Sequence, residues 1–344
     1  MGFNPGPMGF NPSRTVAIAA AGAGALGLAA VLRARARRKC TADTVTGRMN
    51  FGAGTHTRKL DGDEAGNVPE DVLLHDGRGG VYTLDVDGFQ LCNALENRGA
   101  LYDADAVARD FFPRVEEFVQ DLTGARAFAF DHIVRNGDRL AKEKVSGEKT
   151  KFLSQALSNA HGDYTARSGP TRARQLLKPH ATEAEVEDVL GKRFAIVNVW
   201  CPLATVERDP LALCTWPSAR PQHVRTNRLT FKHRVGETYK VAFDALQKWI
   251  YFPKMRTDEV LVMKTFDSDV SSARFCLHSA AKLEGQDDSK PARQSIEIRV
   301  LVLYGADASF APGFVAPHMV PGNHDANEFA ALLKTEALPA ADEW

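Results

Sequence analysis

ARQSIEIRVLVLYG, residues 292–305, decides the fold. From Ser295 the run is rich in β-branched residues and ends on a glycine turn, so it predicts a strand over 295–305. Successive side chains of a strand point to opposite faces. Arg293, Ser295, Glu297 and Arg299 therefore project from one face of it. A cation on an inward face is costly unless it is paired. Its partner is either an acid of the chain, such as Glu297 for Arg299, or a carboxylate-bearing ligand held by the guanidinium.

Similar runs lie upstream. FAIVNVW (194–200), KWIYFP (248–253), EVLVMKTF (259–266) and ARFCLHS (273–279) read as strands between Gly-, Pro- and Asp-rich turns. FAFDHIVR (128–135) is another. Val107, Phe111, Val115, Phe118 and Leu122 recur at three- and four-residue steps, which predicts a helix over 104–122 interrupted near Pro113. Thr182 as N-cap and Gly191 as stop predict a short helix between them. Residues 41–80 show no sustained periodicity and read as an extended lead-in. Early helices and late strands predict an α+β protein built on an antiparallel sandwich or barrel.

The chain has 344 residues, 44% apolar and 25% charged, which excludes a wholly disordered, collagenous or coiled-coil protein. Lys+Arg and Asp+Glu both number 43, so a dedicated nucleic-acid binder is disfavoured. The balance hides an asymmetry. Residues 1–40 hold six basic side chains and no acid, leaving a mildly acidic body. Residues 15–32, TVAIAAAGAGALGLAAVL, carry no charge and are followed by RARARRK. That pattern predicts a membrane anchor with the body in the cytosol. An acid-free, Arg- and Ala-rich start also suits a mitochondrial or other organelle presequence. The expected organisation is a targeting or anchor segment at 1–40, a domain at 41–310 and an extension at 311–344. The five cysteines form no C-x2-C pair and read as free thiols.

No dinucleotide fingerprint, phosphate loop, G-x-S-x-G or H-E-x-x-H occurs outside the apolar N-terminal text. What remains is His161-Gly162-Asp163. In extended backbone, residues i and i+2 share a side. One imidazole and one carboxylate can then reach one ion, and a distant histidine completes a facial triad with open positions. With ten His and 43 acids, about one H-x-[DE] arises by chance, so the motif alone says little and a surface histidine beside an N-cap or turn aspartate is the competing reading. His278, inside ARFCLHS, is the candidate third ligand.

The order H-x-D, distal His, R-x-S, together with AFDHIVR, HGDYTARSG, RFAIVNVWCPL, ERDPLALC and KWIYFPKMRTDEVLVMKTFDS, resembles the hydroxylase/desaturase family, from about residue 48 to 305. That family includes fungal gibberellin desaturases, AsaB-type enzymes and CmcJ. The resemblance implies a double-stranded β-helix (jelly-roll, cupin-like) core with flanking helices. It implies a dioxygenase that uses Fe(II), 2-oxoglutarate and O2 to hydroxylate or desaturate a small organic substrate. His161, Asp163 and His278 would hold the iron. Arg293 would grip the cosubstrate, Ser295 would assist, and Arg299 is the second choice for that salt bridge. Tyr164, Asn198 and Trp200 would line the pocket. The sequence departs from the family at Cys201, where an Arg is usual, at Gln247–Tyr251, and at Ser279-Ala280-Ala281. A catalytically silent β-helix that binds a small molecule is the alternative. Methyl transfer lacks a glycine-rich nucleotide loop. Because the ligands must be deprotonated, activity is expected to fall as pH drops through the histidine range.

Overall fold

The computed structural model describes residues 44–52, 67–93, 95, 101–146, 150, 152–230 and 235–306. Its first strands are β1 (Thr44–Gly52), β2 (Asn67–Asp76), β3 (Phe89–Asn93), β4 (Arg126–Asn136) and β5 (Leu153–Ser154). Next come β6 (His161–Gly162), β7 (Phe194–Pro202), β8 (Leu211–Cys214), β9 (Val224–Thr230) and β10 (Val235–Val241). The last are β11 (Trp249–Tyr251), β12 (Glu259–Asp267), β13 (His278–Ala280), β14 (Lys282–Leu283) and β15 (Gln294–Leu303). The helices named here are α1 (Leu84–Asp87), α2 (Phe112–Thr123), α3 (Gly137–Ser146), α4 (Ser168–Leu177) and α5 (Glu183–Leu190).

Two sheets form. One runs β3-β12-β7-β15-β4-β5 and the other β14-β1-β2-β11-β8-β13-β6-β10-β9. Most neighbours are antiparallel; β2 with β11 and β4 with β5 are parallel. Strand β15 sits inside the six-stranded sheet, between β7 and β4. Its Ile296, Ile298, Val300 and Val302 pack with Val197 and Val199 of β7 and with Phe112, Val115 and Val119 of α2. Burying those side chains removes an apolar face from water and fixes the strand's register, since a one-residue slip would turn it outward. The opposite face carries the polar residues into the space between the sheets. There Trp200 of β7 and Leu261 and Met263 of β12 meet Leu211 and Leu213 of β8 and Ile250 of β11. One end of that space is filled by Phe128, Phe130, Phe194, Ile196, Phe266, Leu301 and Leu303 together with apolar residues of α4 and α5. This two-sheet, β-rich core is of the jelly-roll kind.

The long strands lie where the sequence predicts them. The helix from 104 is built in pieces. A short turn at Ala104–Ala106 runs through a π-type turn at Val107–Phe111 into α2, whose first turn holds Pro113. Pro has no N–H to donate, and the first turn of a helix needs none. The capping box at Thr182 and Glu185 starts α5 as expected.

Two expectations are corrected. The lead-in over 41–80 contains a full antiparallel pair, β1 with β2, in register from Thr44↔His75 to Gly52↔Asn67. Met49 and Phe51 of β1 and Val72 and Leu74 of β2 are buried in a core on the nine-stranded sheet. In ARFCLHS only His278 and Ser279 are in a strand, although Ala273–Leu277 are buried. Among the described residues no helix is long and apolar enough to cross a membrane, and Cys92, Cys201, Cys214 and Cys276 are free thiols. The candidate span at 15–32 and the extension at 311–344 lie outside the described residues.

Candidate metal centre

Strand β6 is two residues long and lies between β10 and β13. His161 pairs with Lys240 on one side and with His278 on the other. Directly opposed residues of adjacent strands present their side chains on one face. The two imidazoles accordingly lie 4.3 Å apart, centre to centre. Asp163 follows two residues after His161. Its Oδ1 is 3.4 Å from His161 Nε2 and 3.9 Å from His278 Nε2. One ligand atom from each residue falls within 4.8 Å of the other two.

The far side of each ring settles its tautomer. His161 Nδ1 is 2.7 Å from the Asn159 carbonyl, and His278 Nδ1 is 3.0 Å from the Cys276 carbonyl. A carbonyl only accepts, so each Nδ1 carries a proton, and a neutral ring then offers its Nε2 lone pair on Asp163's side of the cluster. The carboxylate is oriented in the same way. Asn198 Nδ2 donates to Asp163 Oδ2 at 2.8 Å, leaving Oδ1 for the histidines. Burial pushes His278 down to about 4, helped by His161, so the ring stays neutral. Burial acts to raise Asp163, but the nearby His161, His278 and Arg299 hold it well below the usual carboxylate range.

Behind Asp163 the chain turns into α4 under tight control. Ser168 Oγ accepts from Thr165 N at 2.8 Å and donates to the Glu237 carbonyl at 2.8 Å. Thr165 Oγ1 donates to Glu237 Oε2 at 3.0 Å, and Ala166 N donates to the Tyr239 hydroxyl at 3.1 Å. Strand β10 thus holds the segment that presents Asp163. Nothing in the sequence links Glu237 or Tyr239 to that task, because their role depends on β10 pairing with β6.

The four polar residues of the β15 face differ in their partners. Arg299 donates to Asp131 Oδ2 at 2.8 Å and to Glu297 Oε1 at 3.4 Å. Its charge is committed to acids of the chain, which argues against the second-choice salt bridge to a cosubstrate. Arg293 is buried, with its guanidinium 5.5 Å from the centre of the Trp200 ring. Its Nη1 donates to the Asp209 carbonyl at 2.7 Å, while Nε has no partner. Burial, with Arg135 nearby, brings it down to about 10. The buried Ser295 hydroxyl has no partner either. A carboxylate placed between Arg293 and Ser295 would satisfy both. Burial raises Glu297, with Arg299 opposing.

Of the expected lining residues, Asn198 touches Asp163 directly and Trp200 backs Arg293. Tyr164 is half-buried against the apolar residues that fill the end of the inter-sheet space. Cys201 alternates with Trp200 and so faces the other way, among Val199, Val260 and Ile296 in the core under α2. An Arg missing at this position therefore changes that core and not the pocket. Gln247 accepts from the Trp249 indole N–H at 3.3 Å and donates to the Ala242 carbonyl at 2.9 Å, a support for β11.

Two imidazole Nε2 atoms and one carboxylate oxygen on one side of a point suit a divalent ion with open positions, and Arg293 Nε and Ser295 Oγ suit a second carboxylate. Fold and site together define a mononuclear non-haem iron oxygenase that works with a 2-oxo acid. Residues 43–303 match the family model described as "Oxidoreductase/YMDC permease-like domain", and the chain belongs to that family and to its hydroxylase/desaturase branch of Fe(II)/2-oxoglutarate-dependent dioxygenases. It is 30% identical over 248 residues to the Fe(II)/2-oxoglutarate-dependent dioxygenase nvfI of Aspergillus novofumigatus, covering 69% of this chain and 84% of that one. It is 28% identical over 254 residues to the hydroxylase/desaturase efuI of Hormonema carpetanum, covering 68% and 83%. Among solved structures, the iron and alpha-ketoglutarate-dependent endoperoxidase NvfI superposes with a TM-score of 0.66 at 24% identity, over 77% of this chain and 99% of that one. The protein is an oxygenase of this class, with Fe(II), 2-oxoglutarate and O2 as its cofactors.

Proposed function

We propose that His161, Asp163 and His278 hold the iron and that Arg293, assisted by Ser295, holds the distal carboxylate of 2-oxoglutarate. The enzyme then hydroxylates or desaturates a small organic substrate of the secondary-metabolite kind, inside a double-stranded β-helix. The observation that carries this reading is the convergence of two Nε2 lone pairs and Asp163 Oδ1 while both Nδ1 atoms are tied to backbone carbonyls. The bound metal, with its cosubstrate and O2, would supply an oxidant able to remove hydrogen from an unactivated C–H bond. The chain's own residues bind and orient. Asp163 offers one oxygen, because Asn198 occupies the other. Trp200 packs against Arg293 and keeps it from swinging away. The apolar fill around Phe130, Phe266 and Leu301 excludes water from one end of the site. Names of relatives such as "Aspirochlorine biosynthesis protein N" of Aspergillus oryzae support a small organic substrate.

The test is succinate release from 2-oxoglutarate after anaerobic loading with Fe(II) and admission of O2. Wild type is expected to release it; His161→Ala and His278→Ala are expected to lose both the metal and the release. Full turnover in either variant would end the assignment. We also propose that residues 15–32 act as a membrane anchor or an organelle address. Fractionation of cells expressing the chain tagged at its C-terminus separates the two, since an anchor leaves full-length protein on membranes and a presequence is removed.

A further inference from the structure

We infer that Asn198 is a positioning residue for the metal site: it sets which oxygen of Asp163 faces the histidines, and so governs metal affinity without touching the metal. The inference rests on the metal reading above and deepens it.

Asn198 lies on β7 with no exposed surface, and its Oδ1 is buried without a partner among the described residues. Leaving a buried carbonyl oxygen unsatisfied costs about 1–3 kcal/mol. Its strand neighbours Ile196, Val197 and Val199 are all apolar and buried. An apolar residue would fill position 198 without that penalty. What the amide gains is its one hydrogen bond, from Nδ2 to Asp163 Oδ2. The assignment of nitrogen and oxygen within the amide is forced, because an ionised carboxylate only accepts.

The bond spans the two sheets. Asp163 follows β6 of the nine-stranded sheet, and Asn198 belongs to the six-stranded one. Asn198 is itself held at a fixed height, opposite Arg299 on β15, which in turn lies opposite Asp131 on β4. A row of Asp131, Arg299 and Asn198 therefore underlies the cluster. Without the Nδ2 donor, the Asp163 carboxylate can rotate. Oδ1 then no longer sits 3.4 Å and 3.9 Å from the two Nε2 atoms. Partners of this kind, bonded to a ligand and not to the ion, typically change metal affinity about 10–100-fold when removed.

The probe is Co(II) alone, followed by its visible absorption in full-length protein. Asn198→Leu keeps the branched shape and the number of heavy atoms and removes the donor; Val199→Ala, on the opposite face, is a packing control. Asn198→Leu is expected to bind Co(II) about 10–100-fold more weakly and to show an altered spectrum, while Val199→Ala lowers the melting temperature and leaves both unchanged. Equal Co(II) affinity and spectrum in wild type and Asn198→Leu would overturn the inference. So would an equal loss in Asn198→Leu and Val199→Ala. If Asn198→Leu does not fold, Asn198→Ser, which also vacates the Nδ2 position, carries the same expectation. Failure of wild type itself to bind Co(II) would instead overturn the metal assignment, so the two failures are distinct.

Discussion

Replacing Arg293 by Met tests whether that side chain is built for a ligand or for the fold. Burial brings Arg293 down from the ordinary guanidinium range to about 10. At about 1.4 kcal/mol per pH unit, keeping the charge inside the ligand-free protein costs about 3 kcal/mol. The sign follows from which state holds the proton more tightly. The unfolded chain does, so the penalty is complete at every pH below about 10 and is relieved only above it. Against it stand the hydrogen bond to the Asp209 carbonyl, about 1.5–3 kcal/mol for a charged donor, and the Trp200 contact, about 0.5–1 kcal/mol. The two sides nearly cancel. Arg293→Met is therefore expected to leave the ligand-free stability within about 1 kcal/mol of wild type, where truncating a buried side chain usually costs about 2–5 kcal/mol. The effect on 2-oxoglutarate is large. Breaking a buried ion pair by removing one partner costs about 3–5 kcal/mol, which is a loss of affinity of at least about 100-fold. Urea unfolding of the ligand-free proteins reads the first quantity. Thermal melting with Co(II), with and without 2-oxoglutarate, reads the second. A variant that is several kcal/mol less stable yet still gains as much from 2-oxoglutarate as wild type would refute the reasoning and make Arg293 a structural residue.

Other consequences can be checked in the same preparations. His278 is brought from 6.5 to about 4, so the unfolded chain takes up its proton first as the solution is acidified. Its contribution of about 3 kcal/mol should be present above pH 6.5 and fall away between 6.5 and about 4, a slope that urea midpoints across that range will show in wild type and not in His278→Gln. For this ligand, proton competition with the metal consequently moves below the ordinary histidine range. Gly169 lets α4 approach β12: a Cβ there would sit 2.3 Å from the Phe266 ring, so Gly169→Ala should lower stability by about 1–3 kcal/mol in a thermal melt. Lys264, fully buried, lies 2.6 Å from the equally buried Asp267 and 2.6 Å from Asp85. Lys264→Met should cost about 3 kcal/mol or more in urea unfolding, since the buried Asp267 loses one of its two cations and is left with Arg193 and the Asp269 N–H; an unchanged midpoint would count against a coupled ion network.

What the sequence made legible depended on length. Strands β4, β7, β12 and β15 run nine to eleven residues and carry their own β-branched pattern. Strands β5, β6 and β14 have two residues and β13 has three, too few to show a period. They exist because longer neighbours supply a register. The hairpin of β1 and β2 did carry alternating Met49 and Phe51, but the Gly- and Asp-rich residues between its arms hid the signal in any wide window. The site divides in the same way. His161 and Asp163 are two residues apart and could be paired on paper. His278 joined them through family resemblance, and only the His161↔His278 register explains why those three side chains meet. Arg293 and Arg299 look equivalent in the sequence, six residues apart on one face. Asp131, opposite Arg299 on the neighbouring strand, is what makes them different.

Under the proposed assignment, that difference gives the pocket its selectivity for a particular kind of ligand. A two-histidine, one-carboxylate cluster can hold a divalent ion with open positions, and nothing in it distinguishes one 2-oxo acid from another. Distinction has to come from the far end of the cosubstrate. Along β15 the chain sets out Arg293, Ser295, Glu297 and Arg299, then neutralises the cation nearer Asp163 with Asp131 and Glu297. The cation at the strand's start has a carbonyl and an aromatic face beside it, and among the described residues its Nε has no hydrogen-bond partner. A ligand carboxylate near the cluster thus meets an already balanced Arg299, while one further along meets an unbalanced, buried guanidinium and an unsatisfied hydroxyl. At a rise of about 3.4 Å per residue, the six-residue spacing places Arg293 and Arg299 about 20 Å apart along the strand, so a carboxylate held at Arg293 and Ser295 does not meet the balanced Arg299.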